Sequence, residues 1–205
     1  SFTGSISLVN VAGYTSLSLP NLTGVTADFT VSGNPDLALV STPVLSTVGG
    51  SLTVSNNPAL VTADLSSSMS VGGTVTVTND TSLSSLDATG LVSAAGVTVS
   101  SNPSASSIDI GSSATVVGDV SVSNNTGASA IAVTADSSSS ILVSGNVAAT
   151  TIDISSSSTS GSVTVTDNPS ASVLLGGGSV GGDLTVETTG STVNYSTVTA
   201  DGNVD

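Results

Sequence analysis

A short segment that alternates apolar, polar, apolar returns every 20 to 23 residues along this chain, and that spacing constrains the fold more than any single residue does. Counted from the first apolar residue of each segment, the anchors are Ile6, Phe29, Leu52, Val75, Val97, Val120, Leu142, Val163, Leu184 and Val204. A period in the low twenties marks a solenoid, in which one winding of the chain buries its apolar face only by stacking on its neighbours. Nine coils are complete and a tenth begins near the end of the sequence.

Val48–Leu60, reading VGGSLTVSNNPAL, shows the grammar of one coil. A glycine stands two residues before most anchors, at Gly4, Gly50, Gly73, Gly118, Gly161, Gly182 and Gly202, with Ala27, Ala95 and Ser140 in its place elsewhere. Glycine there supplies either a positive φ or a close backbone approach. The strand then alternates, as in Leu52-Thr53-Val54 and Val75-Thr76-Val77, which puts aliphatics inside and hydroxyls outside. Five residues past the anchor comes Asn34, Asn57, Asp80, Asn102, Asn125 or Asn168, with Asn146 one place early. An amide at a strand end tolerates unusual φ and ψ and satisfies backbone groups that the turn leaves free. Pro35, Pro58, Pro103 and Pro169 follow and stop the strand.

A second strand is read in Ala63-Asp64-Leu65, Leu86-Asp87-Ala88, Ile108-Asp109-Ile110, Ile131-Ala132-Val133 and Ile152-Asp153-Ile154, flanking residues inward and the middle one outward. The Ser-rich remainder (Ser66 to Ser68, Ser137 to Ser140, Ser155 to Ser158) reads as wide turns. With one Glu, one Met and no Gln, Lys or Arg, the chain lacks the usual vocabulary of helix surfaces. The expected fold is all-β: one domain over residues 1–205, a right-handed parallel β-solenoid of about nine coils rising about 4.8 Å per coil.

The pattern Leu52-x-Val54-x-x-Asn57-x-x-Leu60, with Leu65 and the Val71-Gly72-Gly73 corner after it, resembles the leucine-rich-repeat superfamily. The likeness is closest to the receptor L-domain repeats of fungal GPI-anchored cell-wall glycoproteins. It implies a right-handed solenoid, secretion, glycosylation and a place at the cell surface or wall.

Composition removes whole classes of chemistry. The chain of 205 residues carries net charge −14 and has no Lys, Arg, His or Cys. Nucleic acid and anionic membrane are therefore poor partners. Ser and Thr are abundant but lack a His or Lys base, so no nucleophilic triad can be assembled, and each Gly pair sits at a coil corner without the Lys of a phosphate loop. No run of about 18 apolar residues occurs, and Ser1 opens inside a repeat, so neither a transmembrane helix nor a signal peptide is read here.

Three features have a functional alternative. Asp64, Asp87, Asp109 and Asp153 recur at equivalent outward positions, interrupted by Ala132, and suit either a solvated acidic ridge or weak Ca²⁺ or Na⁺ binding. The ridge is preferred, and the carboxyl pair of a glycosidase is not, because the column lies on an open strand face rather than in a cleft. Thr30, Thr53, Thr76, Thr98, Ser121, Thr164 and Thr185 form an outward column that resembles the ice-binding face of antifreeze solenoids; Val143, Asp28, Asp119, Asp183 and Glu187 are read as interruptions of it. Thr is equally a favoured residue for an exposed strand. Asn21, Asn79, Asn124 and Asn194 begin N-glycosylation sequons.

Finally, the sequence starts and stops inside coils, which reads as a segment of a longer chain or as an uncapped filament subunit. The expected role is thus structural and non-enzymatic: an extracellular surface, wall or filament protein, associating end to end or with neighbouring wall components, without a cofactor. The alternatives are an ice-binding solenoid and a ligand-binding receptor ectodomain. Only four aromatics, Phe2, Tyr14, Phe29 and Tyr195, weigh against the ectodomain.

Overall fold

The computed structural model describes residues 1–136, 138–188 and 192–205, with the side chains of 112–114 left aside. Every regular element among these residues is a strand, and the chain winds as a parallel β-solenoid of about nine turns. The first face is a nine-stranded parallel sheet of Ile6–Val9, Phe29–Ser32, Leu52–Ser55, Thr74–Thr78, Gly96–Ser100, Val120–Ser123, Ile141–Ser144, Val163–Thr166 and Leu184–Val186. Leu52 pairs with Val75 and Val75 with Val97, so equivalent residues of successive coils lie one above another. No register shift interrupts this face.

The cross-section has three strands per coil rather than the two expected. The second face runs through Ser16–Ser18, Leu39–Ser41, Thr62–Asp64 and Ser85–Ala88. A third face, Gly24–Val25, Thr47–Val48, Met69–Val71 and Leu91–Ala94, occupies spans outside the two strands that the sequence shows, at or beside its turns and corners. Farther along, the second and third strands merge into single long strands such as Ser107–Val116 and Ser172–Val180. The third face exists because Val25, Val48, Met69, Val71, Leu91 and Ala94 all turn inward and are buried. Each coil thereby closes on three apolar sides.

Burial follows the period-two alternation along the first face, whereas on the third face Leu91 and Ala94 are both buried across a register irregularity. Leu52, Val54, Val75, Val77, Val97 and Val99 are at most 2 % exposed, while the Thr between each pair stays half-buried. A further column, Leu37, Leu60, Leu83, Ala105, Ala128, Ala149 and Ala171, is wholly buried three residues after each rung of Asn or Asp. Beside its alanines at Ala105, Ala128 and Ala149 the second-strand column carries Ile108, Ile131 and Ile152, where the coils before carry Val40, Ala63 and Leu86.

One anchor moves by a residue. Ile141, not Leu142, pairs with Val120 and enters the core, and Val143 is buried beside Val122; Leu142 faces outward, 37 % exposed, in the Thr column. Three consecutive apolar residues carry no parity of their own, so the neighbouring strands decide which of them point inward. With Ile141 as anchor, Asn146 stands five residues on like its counterparts, rather than one place early. The corner glycines also resolve. Among them only Gly4 has a positive φ, +114°; the others are needed because chains pass close. At Gly73, for example, an added Cβ would press on the backbone of Gly50 and Ser51 in the coil before.

Candidate functional site

The strand ends on the first face build the most ordered polar feature of the molecule. The first eight of the nine strands each leave through one residue in the left-handed region: Asn10, Asn56, Asn79, Ser101, Asn124 and Asp167 at φ between 56° and 59°, with Gly33 and Gly145 in the same role. Asn, Asp and Gly tolerate that region best, which accounts for the column. The backbone then turns the following side chain inward. Asn34, Asn57, Asp80, Asn102, Asn125, Asn146 and Asn168 are all 0 % exposed. The unusual φ thus belongs to the residue before each rung, not to the rung itself.

These rungs are joined. Asn34 Nδ2 donates to Asn57 Oδ1 at 3.0 Å, Asn57 Nδ2 to Asp80 Oδ1 at 3.0 Å, Asn102 Nδ2 to Asn125 Oδ1 at 3.1 Å, Asn125 Nδ2 to Asn146 Oδ1 at 3.2 Å and Asn146 Nδ2 to Asn168 Oδ1 at 3.2 Å. The backbone N–H of each rung from Asn34 to Asn146 donates to the same Oδ1 of the next coil, as from Asn57 to Asp80 at 2.8 Å. The second amide proton goes to a first-face carbonyl of the preceding coil, such as Val77 O for Asn102 or Val99 O for Asn125. An amide is the side chain that can accept two bonds and donate two at one spot, so the turn is satisfied without water. Asp80 is the exception, with Oδ2 buried and without a partner. Burial pushes its pKa up to about 6, against the opposing pull of the bonds from Asn57.

The acidic column is placed as expected on the second face. Asp87 pairs with Asp64 and with Asp109, Ala132 separates Asp109 from Asp153, and Leu174 follows. Burial raises the Asp109 pKa, and the charges of Asp87 and Asp153 add to the rise. The other three carboxylates are turned back on their own coils: Asp64 Oδ1 accepts from Ser66, Asp87 Oδ1 from Thr89 and Asp153 Oδ1 from Ser155. Among the described residues, no three acidic groups come together closely enough to hold a metal ion.

The hydroxyl column proves to be two columns. Thr30, Thr53, Thr76, Thr98, Ser121, Thr164 and Thr185 form one rank, with Leu142 in place of a hydroxyl. Ser32, Ser55, Thr78, Ser100, Ser123, Ser144 and Thr166 form a second, two residues farther along each strand. Strand geometry sets the ranks roughly 6.6 Å apart and successive coils about 4.8 Å apart. Val143 lies in the core and does not interrupt the face. Asp28 and Asp183, just before their strands, each accept the backbone N–H of the next coil, from Ser51 at 2.8 Å and Asn203 at 2.9 Å.

Comparison with known protein families, curated proteins and solved structures finds no match.

The four sequon asparagines are exposed. Asn79 and Asn124 sit in the left-handed column, so local conformation alone explains an Asn there. Ser137, in one of the Ser-rich spans, lies outside the described residues. Among the described residues no helix is long and apolar enough to cross a membrane.

Proposed function

We propose that this chain is a structural, non-enzymatic segment of an extracellular surface, wall or filament protein, associating end to end or with neighbouring wall components. One observation carries the reading: the first face stacks nine strands in unbroken register, and the buried amides repeat that register inside it. Such a chain commits its interior and its turns to regular stacking, which suits a rigid spacer. The likeness of its repeat to receptor L-domain repeats of cell-wall glycoproteins points the same way. So does the exposure of Asn21, Asn79, Asn124 and Asn194, where glycans would stand clear of the coils. Electron microscopy of protein secreted from a eukaryotic host, paired with intact mass before and after glycan release, tests it. Elongated particles that join lengthwise and carry glycan are expected. A compact, unglycosylated, monodisperse monomer would sink the proposal.

Ice binding is favoured by a separate observation, the two hydroxyl ranks in register across the first face. Regular rows of hydroxyl and methyl groups on one sheet can order water. Thermal hysteresis of the intact protein is the measurement, with Thr76→Tyr and Thr98→Tyr expected to abolish it. If the unmodified protein shows no hysteresis, this reading falls and the structural one stands.

A further inference from the structure

Six of the seven ladder rungs are asparagine, and each sends Nδ2 to a first-face carbonyl one coil earlier, 24 to 26 residues back in sequence. At Asp80 the same offset points to Val54 O, and the next rung offers Asn102 Oδ1, which already accepts the Asp80 backbone N–H at 3.0 Å. Asp80 Oδ1 is engaged by Asn57 from the coil before, at 2.8 Å from its N–H and 3.0 Å from Nδ2. That leaves Asp80 Oδ2, wholly buried and without a partner, where the other rungs carry an N–H donor.

We propose that the folded solenoid holds Asp80 as a neutral carboxylic acid whose Oδ2–H replaces the missing amide N–H, making the junction of the third, fourth and fifth coils a proton-dependent joint. Protonated, Oδ2 becomes a donor and can serve Val54 O or Asn102 Oδ1. Ionised, it sets a buried charge among acceptors in a chain without Lys, Arg or His. The groups of the ladder that face it are Asn57 and the Val54 carbonyl from one side and Asn102 from the other, none of them titratable; burial and the Asn57 bonds are the influences on its proton. Because burial raises the folded-state pKa from 3.8 to about 6, the folded chain binds this proton more tightly than the unfolded chain does. The stabilisation is complete below about 3.8 and is lost as pH rises through about 6. Two pKa units correspond to about a hundredfold in the folding equilibrium constant.

Asp80→Asn restores the repeat and removes the proton. Denaturant unfolding of both proteins at pH 4 and pH 7 should show the ratio of folding constants, variant over wild type, growing about fiftyfold between the two, since pH 4 already lies just above the unfolded value. A ratio that is flat, or that shrinks with pH, overturns the proposal. Carbon-13 NMR of the Asp80 carboxyl in the unmodified protein is the second readout and needs no variant. A midpoint near 6 supports the joint; a midpoint at or below 4 refutes it. Added CaCl₂ or NaCl at pH 7 separates the remaining case, since a gain in stability of wild type that Asp80→Asn lacks would mean a cation-bound carboxylate and would also overturn it.

Discussion

Replacing Asn125 by alanine removes an oxygen that accepts two bonds and a nitrogen that donates two. The Asn102 backbone N–H loses its 3.1 Å partner and Asn102 Nδ2 loses another at 3.1 Å, both from a residue that is 0 % exposed. An orphaned buried donor costs about 1–3 kcal/mol, so two cost about 2–6 kcal/mol, before counting Val99 O and the small void left behind. Asn34→Ala supplies the internal control. From the first coil Asn34 Oδ1 accepts one bond, from the half-buried Val11 N–H at 3.0 Å, because Val11 stands where a rung would be. Its loss should cost about 1–3 kcal/mol, roughly half the effect at Asn125. Guanidinium unfolding followed by far-UV circular dichroism measures both, and amide exchange at Asn102 reports the broken bond directly. If Asn125→Ala costs less than about 1 kcal/mol, or no more than Asn34→Ala, the ladder is ornament and the reasoning fails.

Other perturbations separate close approach, packing and charge. Gly72→Ala places a methyl against the carbonyl of Gly49 and should cost about 1–3 kcal/mol in denaturant titration. Gly13→Ala, with nothing nearby and φ of +82°, should cost only the backbone penalty of about 1–2 kcal/mol. Leu60→Ala empties a fully buried position and should lose about 2–5 kcal/mol, whereas the neighbouring Val61→Ala, at a residue 46 % exposed, should stay within about 0.5 kcal/mol. Ala132→Asp closes the gap between Asp109 and Asp153 and should push the Asp109 pKa still higher. A raised folded-state pKa means that the added destabilisation appears as pH rises through the carboxylate range, so the variant should fall further below wild type in unfolding midpoint at pH 7 than at pH 4.

Much of this architecture was legible because the chain repeats itself. The alternation at Leu52-Thr53-Val54 and its copies locates the first face, and Ile108-Asp109-Ile110 locates the second, since period two has one physical meaning at these lengths. The third face was hidden by composition. Val25, Val48 and Val71 stand directly before turns or Gly-Gly corners and read as part of them. Ile141-Leu142-Val143 misleads for the opposite reason, having no polar residue to set parity, and its coil lacks the corner Gly that would have fixed the count. The second rank of hydroxyls leaves little mark in the sequence, because Ser32, Ser55 and Ser100 sit next to turns, where Ser needs no further explanation. Asp80 looked like a synonym for Asn. At an exposed turn both are small, polar and turn-forming; burial is what makes the missing N–H donor of Asp80 matter.

The ladder bonds each reach one coil up or one coil down, and the strand pairings do the same. Among the described residues these bonds join only neighbouring coils, so a fault at one level is felt by the levels touching it and fades beyond them. Length therefore becomes an adjustable quantity. Excising or duplicating a whole winding, cut between equivalent residues such as Asn102 and Asn125, rejoins surfaces already shaped for one another, whereas losing a single residue within a strand would turn its apolar side chains out into water.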